Sequence, residues 1–255
     1  MTNRWCSLTA ALSVAMIAAT ACTQTAGGTA QPAPNLKPRP LTGSAITQVL
    51  LDDAALTGIL NQSFERDTGV SAWSGGPEKL RHPFDSATPA DCLGVAVLLD
   101  QRAYQSSSVK DVAGASWRHT GEAAKVQGVI EGVTTLPTAA DAAALFTKFS
   151  AQWSRCDGTT LSLPAGEIGF TDKIADVRVA NSVLAATVSI YSSYSELLGG
   201  PMPDARAIGV RGNCLVEVDA MFSSGHHPSD QGSGDINTSA VNIAHAMMDK
   251  VSGLS

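Results

Sequence analysis

Apolar residues set out most of the architecture. Between residues 44 and 66, Ile46, Val49, Leu50, Ala54, Leu56, Ile59, Leu60 and Phe64 recur at three- and four-residue intervals, the spacing of one helix face. Asp52 or Asp53 can cap a second segment inside that stretch. Residues 67–87 are rich in Gly, Ser and Pro and predict a long loop. Thr88-Pro89-Ala90-Asp91 places an N-cap, a first-turn proline and an early acid in order, which predicts a second helix to about Tyr104 with Cys92 in its first turn. Strands are predicted at 114–120 and 124–135; in the second, Val126, Gly128, Ile130 and Gly132 oppose Gln127, Val129, Glu131 and Val133. Thr138 and Asp141 open a third helix to about Arg155, with Leu145, Phe146, Phe149 and Trp153 as its stripe and Cys156 at its end.

From 158 to 222 the pattern is of short strands cut by Asp157-Gly158, Pro164-Ala165-Gly166, Asn181 and Gly199-Gly200-Pro201. The last of them alternates cleanly. Cys214, Val216, Val218, Ala220 and Phe222 take one face and Glu217 and Asp219 the other, with Arg211-Gly212-Asn213 as the preceding turn. A polar loop at 223–235 leads to a closing helix to about Val251, apolar at Ile236, Val241, Ile243, Ala244, Met247, Met248 and Val251. Helices first, a block of strands and one closing helix predict an α+β fold: a mainly antiparallel sheet decorated by about four helices, forming one domain over residues 44–255.

The first 43 residues follow other rules. Arg4 is the only charge before Lys37, an uncharged apolar run spans Leu8 to Ala18, and Ala19-Thr20-Ala21-Cys22 closes it with small residues. A positive end, an apolar core and a small-residue cleavage site mark an export signal over 1–21. The run is shorter than the roughly 20 residues of a membrane span. A cysteine directly after Ala21 makes the site a lipobox, so Cys22 is the expected lipidation site. Residues 22–43 are small, polar and proline-rich, and read as a tether. The expected location is the outer face of the cell membrane, with the acyl chain on Cys22 as the membrane contact.

The net charge is -6, and losing Arg4 with the signal makes it -7. An acidic domain has no footprint for nucleic acid and gains nothing from anionic lipid, so the acyl chain must hold it at the membrane. Of five cysteines, Cys6 leaves with the signal and Cys22 takes lipid. Cys92, Cys156 and Cys214 remain in an oxidising compartment, enough for one bridge and one free thiol.

Catalytic chemistry is hard to find. His226-His227 with Asp230 and Asp235 contains zinc-type donors, but neighbouring histidines point apart and the loop is rich in Gly and Ser, so a solvated loop is expected and no metal. His82, His119 and His245 are single and dispersed. None of the zincin, nucleophile-elbow, Walker or dinucleotide-binding motifs is present. Cys214 lies on an apolar face without a basic neighbour in sequence, the setting of an inert thiol.

Several blocks resemble the PknH-like extracellular sensor domain. They are Cys92 with Tyr104 twelve residues on, Thr138-Ala139-Ala140-Asp141-Ala142, Trp153-Ser154-Arg155-Cys156-Asp157-Gly158, Arg206-Ala207-Ile208 and Asn213 to Ala220. The likeness covers roughly 45–252, and its W-x-x-C-x-G block is the most specific part. It implies a helix-decorated antiparallel sheet with a cleft, a ligand-sensing role, no catalysis and no cofactor. It pairs Cys92 with Cys156 and leaves Cys214 free, at a place the family usually gives to an aliphatic residue. The family's second bridge is missing, because its two places hold Asp204 or Ala205 and Met221. No kinase domain accompanies these blocks, so signalling through an attached kinase is not expected.

Two classes of function follow. One is an envelope binding module that captures a small ligand or a protein partner, with a lipid or glycolipid carrier as a variant. The other is a hydrolase whose residues only the fold would assemble. An apolar pocket would favour the carrier, and convergent polar groups a sensor.

Overall fold

A computed structural model describes residues 39–84, 86–121, 123–165, 168–195, 200–225 and 229–255. The signal segment, Cys22, most of the tether and His226-His227 lie outside the described residues.

The described chain is organised by one nine-stranded antiparallel sheet. Its strands are β1 (Phe64–Arg66), β2 (Trp73–Gly75), β3 (Asp111–His119), β4 (Val126–Thr135), β5 (Thr160–Ala165), β6 (Ile168–Ala180), β7 (Val183–Ser192), β8 (Met202–Arg211) and β9 (Cys214–Phe222). Their order is β1-β3-β4-β9-β8-β7-β6-β5, with β2 also on β3. Helices α1 (Asp53–Leu60), α2 (Leu93–Ala96), α3 (Gln101–Tyr104), α4 (Ala139–Cys156) and α5 (Ser239–Leu254) complete it, with short 3-10 turns at Gly43–Val49, Pro77–Lys79 and Ala90–Cys92. The α+β expectation holds, and each face of the sheet has its own core.

The first face carries the apolar set of β9, Cys214 to Phe222, beside Val129 and Val133 of β4 and Ala113, Ala115 and Trp117 of β3. Ile243, Met247, Met248 and Val251 of α5 pack onto it. The second face carries Leu161, Leu163, Ile174, Leu184, Val188, Ile208 and Leu215 under Leu145, Phe149 and Trp153 of α4. Thr138 caps α4, its hydroxyl accepting the Asp141 N–H at 3.1 Å. Cys92 and Cys156 are joined, with Cα atoms 5.6 Å apart, fastening the 3-10 turn before α2 to the end of α4. Cys214 is a free, buried thiol, pushed up to about 12 by burial and then by the Asp111 charge.

Four expectations are corrected. The 44–66 segment is a 3-10 turn, the short helix α1 and strand β1; Asp52 caps α1 by accepting the Ala55 N–H, as its place in the sequence suggested, and Asn61 closes α1 in the left-handed region at φ 51°. The 67–87 loop contains β2, where Trp73 lies over Gly114 so closely that a Cβ there would sit 2.2 Å from its ring. The second helix breaks at Val97–Asp100, with Leu99 at φ 55°, and Asp100 caps a new turn by accepting from the Arg102 and Ala103 N–H groups. In β4 the two faces alternate as expected from Gly128 onward. A register shift between Val126 and Gly128 returns Val126 to the first face, with Val129.

Candidate functional site

The second face is covered unevenly. Over its centre β8 and β9 present Arg206 and Glu217, both almost fully buried. Arg206 donates from Nε to the Val95 carbonyl at 2.9 Å, from Nη1 to the Val218 carbonyl at 2.9 Å and from Nη2 to Glu217 Oε2 at 3.0 Å. Glu217 also accepts the Tyr104 hydroxyl at 2.6 Å and the Leu99 N–H at 3.1 Å. Burial, then the Glu217 charge, hold the Tyr104 phenol well above its ordinary range, so it stays a donor. The Trp153 ring lies 5.9 Å from the guanidinium.

The Leu98–Leu99 segment reaches Glu217 because Gly132 stands opposite it on β4, where a Cβ would lie 2.7 Å from Leu99. The left-handed turn at Leu99 aims its N–H at the carboxylate, which is the physical reason the second helix breaks there. This network closes on itself and ties α2 and α3 to the sheet.

One step along the same face, the pairing changes. Asp172 on β6, Asp204 on β8 and Asp219 on β9 come together on this face. Their exposures are 3%, 4% and 7%. Asp172 and Asp219 line a cleft of about 250 Å³, whose other walls are Arg81, Pro83 and Phe84, the Ala96–Leu98 segment, Ile130, Leu163, Phe170, Ile190 and Met202. Phe84 and Phe170 meet edge-to-face at 6.4 Å.

Burial raises the Asp172 carboxyl to about 7, and the Asp219 charge adds to the effect. Asp204 is held well above the usual carboxylate range by burial and then by the Asp219 charge. Asp219 is raised by burial despite the opposing charges of Arg206 and Arg81. Oδ1 of each of the three aspartates is buried without a hydrogen-bond partner. Burial lowers Arg81, and it forms no ion pair with these acids within 4 Å.

A second hollow, of about 400 Å³, lies beside α3. There the Tyr104 hydroxyl serves Glu217, the Ser107 hydroxyl donates to the Tyr104 carbonyl, and Arg102 meets Asp100 at 3.4 Å. Among the described residues no group of His, Cys, Asp and Glu is arranged to hold a metal.

The disulfide cysteines fasten α4 and stand outside the cleft walls, and Cys214 is on the opposite face. Glu217 and Asp219 were visible in sequence as the polar side of β9, but Asp172, Asp204 and Arg81 were not singled out as site residues. Asp172 sits among Phe170, Ile174 and Ile190 in a buried strand region. An acid at an inward position of an otherwise apolar alternation is the signal that could have found it.

Asp204 and Met221 are direct cross-strand partners on β8 and β9. The resemblance implies a second bridge from Asp204 or Ala205 to Met221, and of the two it is Asp204 that stands opposite Met221. A carboxyl facing the cleft region stands there instead.

The sequence profile of the PknH-like extracellular domain matches residues 41–250. Among solved structures, the extracellular domain of PknH from Mycobacterium tuberculosis superposes with a TM-score of 0.68 at 17% identity, covering 85% of this chain and 100% of that one. A putative uncharacterized protein from Mycobacterium smegmatis aligns over 82% of this chain and 96% of its own, with a TM-score of 0.38 at 12% identity. No curated protein matches this sequence. With its profile match running from the 3-10 turn at Gly43–Val49 into α5, this chain belongs to the PknH-like extracellular domain family.

Proposed function

We propose that this protein is a lipid-anchored envelope binding module. Its signal segment is removed, Cys22 carries the acyl anchor, and the cleft on the second sheet face captures a small molecule without turning it over. One observation carries the binding part: apolar walls converge on buried carboxyl oxygens that no group of the protein satisfies. An unsatisfied buried acceptor costs about 1–3 kcal/mol, and a ligand that supplies donors recovers it. The volume favours a small ligand over a lipid, because at about 250 Å³ the cleft falls below the roughly 300–1,000 Å³ of drug-sized sites. An envelope protein partner remains the alternative occupant.

Native mass spectrometry of the protein purified from its own envelope tests the reading. A small adduct is expected on the natural chain and none on Met202→Trp, which puts a bulkier side chain in the cleft wall. An adduct unchanged by that substitution, or an acyl lipid as the only one, overturns it. Cys22→Ala is expected to move the protein out of the membrane fraction; continued partitioning with membranes would refute the anchor.

Hydrolysis is a second reading, because Asp204 and Asp219 are buried on one face with both carboxyls raised by burial, an arrangement suited to acid–base work. Background rates with esterase, peptidase, phosphatase and glycosidase substrates are expected. Turnover lost in Asp219→Asn would establish the enzyme.

A further inference from the structure

We propose that the ligand of this cleft is a small organic cation, a protonated amine on a compact apolar body. The proposal rests on the cleft reading above and adds the chemical class of the occupant.

The acids come from three strands, and the sheet register brings them together. Asp172 lies opposite Ile190 on β7, and Asp204 lies opposite Val188 two residues back along that strand. Asp219 lies opposite Arg206, on the same face of β8 as Asp204. The two that line the cleft, Asp172 and Asp219, are more than nine-tenths buried and each keeps an unpartnered Oδ1. These are acceptors waiting for donors.

The protein's own cations do not meet that demand. Arg206 spends Nε, Nη1 and Nη2 on Val95, Val218 and Glu217. Arg81 is half-buried at the wall and can offset only one of three carboxyl charges. An inorganic cation is disfavoured, because none of the described acids group at metal-ligand spacing. An ammonium donates three N–H bonds over a wider span. The apolar walls, with the Phe84–Phe170 pair among them, suit a compact hydrocarbon or aromatic body.

Burial and like charge favour the protonated form of these acids. Asp172 faces Asp219, and Asp219 faces Asp204, Glu217, Arg206 and Arg81, so the acids of β6, β8 and β9 bear on one another with two guanidiniums nearby. A bound cation displaces those protons, so its affinity rises with pH while the guest itself stays charged.

Three probes of one shape decide the matter: benzylammonium, benzyl alcohol and benzoate, titrated calorimetrically into the purified full chain. Benzylammonium is expected to bind at least tenfold more tightly than benzyl alcohol, and benzoate more weakly still. Its affinity is expected to rise between pH 5.5 and 8. Asp219→Asn and Asp172→Asn are each expected to weaken it tenfold or more while weakening benzyl alcohol less than threefold, a contrast that a folding defect would not produce. Equal binding of the three probes, abolished by Met202→Trp, would leave the cleft reading intact and overturn the cation. Tighter binding of benzoate would overturn it in favour of Arg81. Failure of all three to bind would overturn both readings.

Discussion

Glu217 and Asp219 stand two residues apart on the same face of β9, in two regions of opposite character. Glu217 belongs to a closed network in which Arg206, Tyr104 and the Leu99 backbone each supply a donor. Asp219 belongs to the cleft, where it lies beside Asp204 and Asp172 and keeps an unpartnered oxygen. Both acids are buried, so burial does not separate structure from site here. What separates them is whether the fold itself supplies the donors. A satisfied buried pair contributes rigidity and a fixed geometry, whereas an unsatisfied one is a standing cost that a ligand can offset.

The comparison is broken most severely at Arg206. Arg206→Met leaves Glu217 buried without its cation, at a cost of about 3–5 kcal/mol. The melting temperature is expected to fall on the order of 10 °C. A fall of a degree or two would mean that Glu217 is no better satisfied than Asp219. Tyr104→Phe removes one hydrogen bond to the same carboxylate and should cost about 1.5–3 kcal/mol in urea unfolding.

The disulfide comes next. Cys92 and Cys156 are separated by 64 residues, and closing a loop of that size stabilises by about 4 kcal/mol on chain-entropy reasoning. Reduction should lower the melting temperature clearly; an unchanged transition would show that α4 is held by packing alone.

The cleft region should respond to pH. Asp172 and, on the other face, Glu131 are both raised by burial to about 7. Each binds its proton more tightly folded than unfolded. Between about pH 4, near the ordinary carboxyl values, and about pH 7 the unfolded chain therefore ionises first, and stability falls as pH rises. Below that window both states are protonated, and above it both are ionised, so neither side contributes a slope. Melting scans from pH 4 to 8 should show the decline. Asp172→Asn and Glu131→Gln should each flatten it, and a decline untouched by either would assign it to other groups.

The smallest effect is expected at Cys214. Its thiol lies at about 12 and should resist alkylation at pH 8 until the chain unfolds. Cys214→Val keeps the packing and should change stability by less than about 1.5 kcal/mol.

Local pattern determined much of this protein by itself. The alternation of β9, the Thr138 cap and apolar stripe of α4, and the closing helix all rest on spacing between near neighbours, which periodicity reports directly. The family blocks were legible for the same reason, each being a short run of residues. Tertiary structure decided the rest. Whether a run of good helix formers stays helical at Val97–Asp100 depended on a carboxylate 118 residues away, which accepts the Leu99 N–H. Strands β1 and β2 exist because β3 offered an edge to pair with, and their own three residues each carry too little pattern to declare it. The cleft was least legible of all. Asp172, Asp204 and Asp219 are ordinary acids in three separate strands, and only sheet register brings them onto one face beside Arg81. Register is a relation between distant segments, and it decided which buried acids would be paired and which left open.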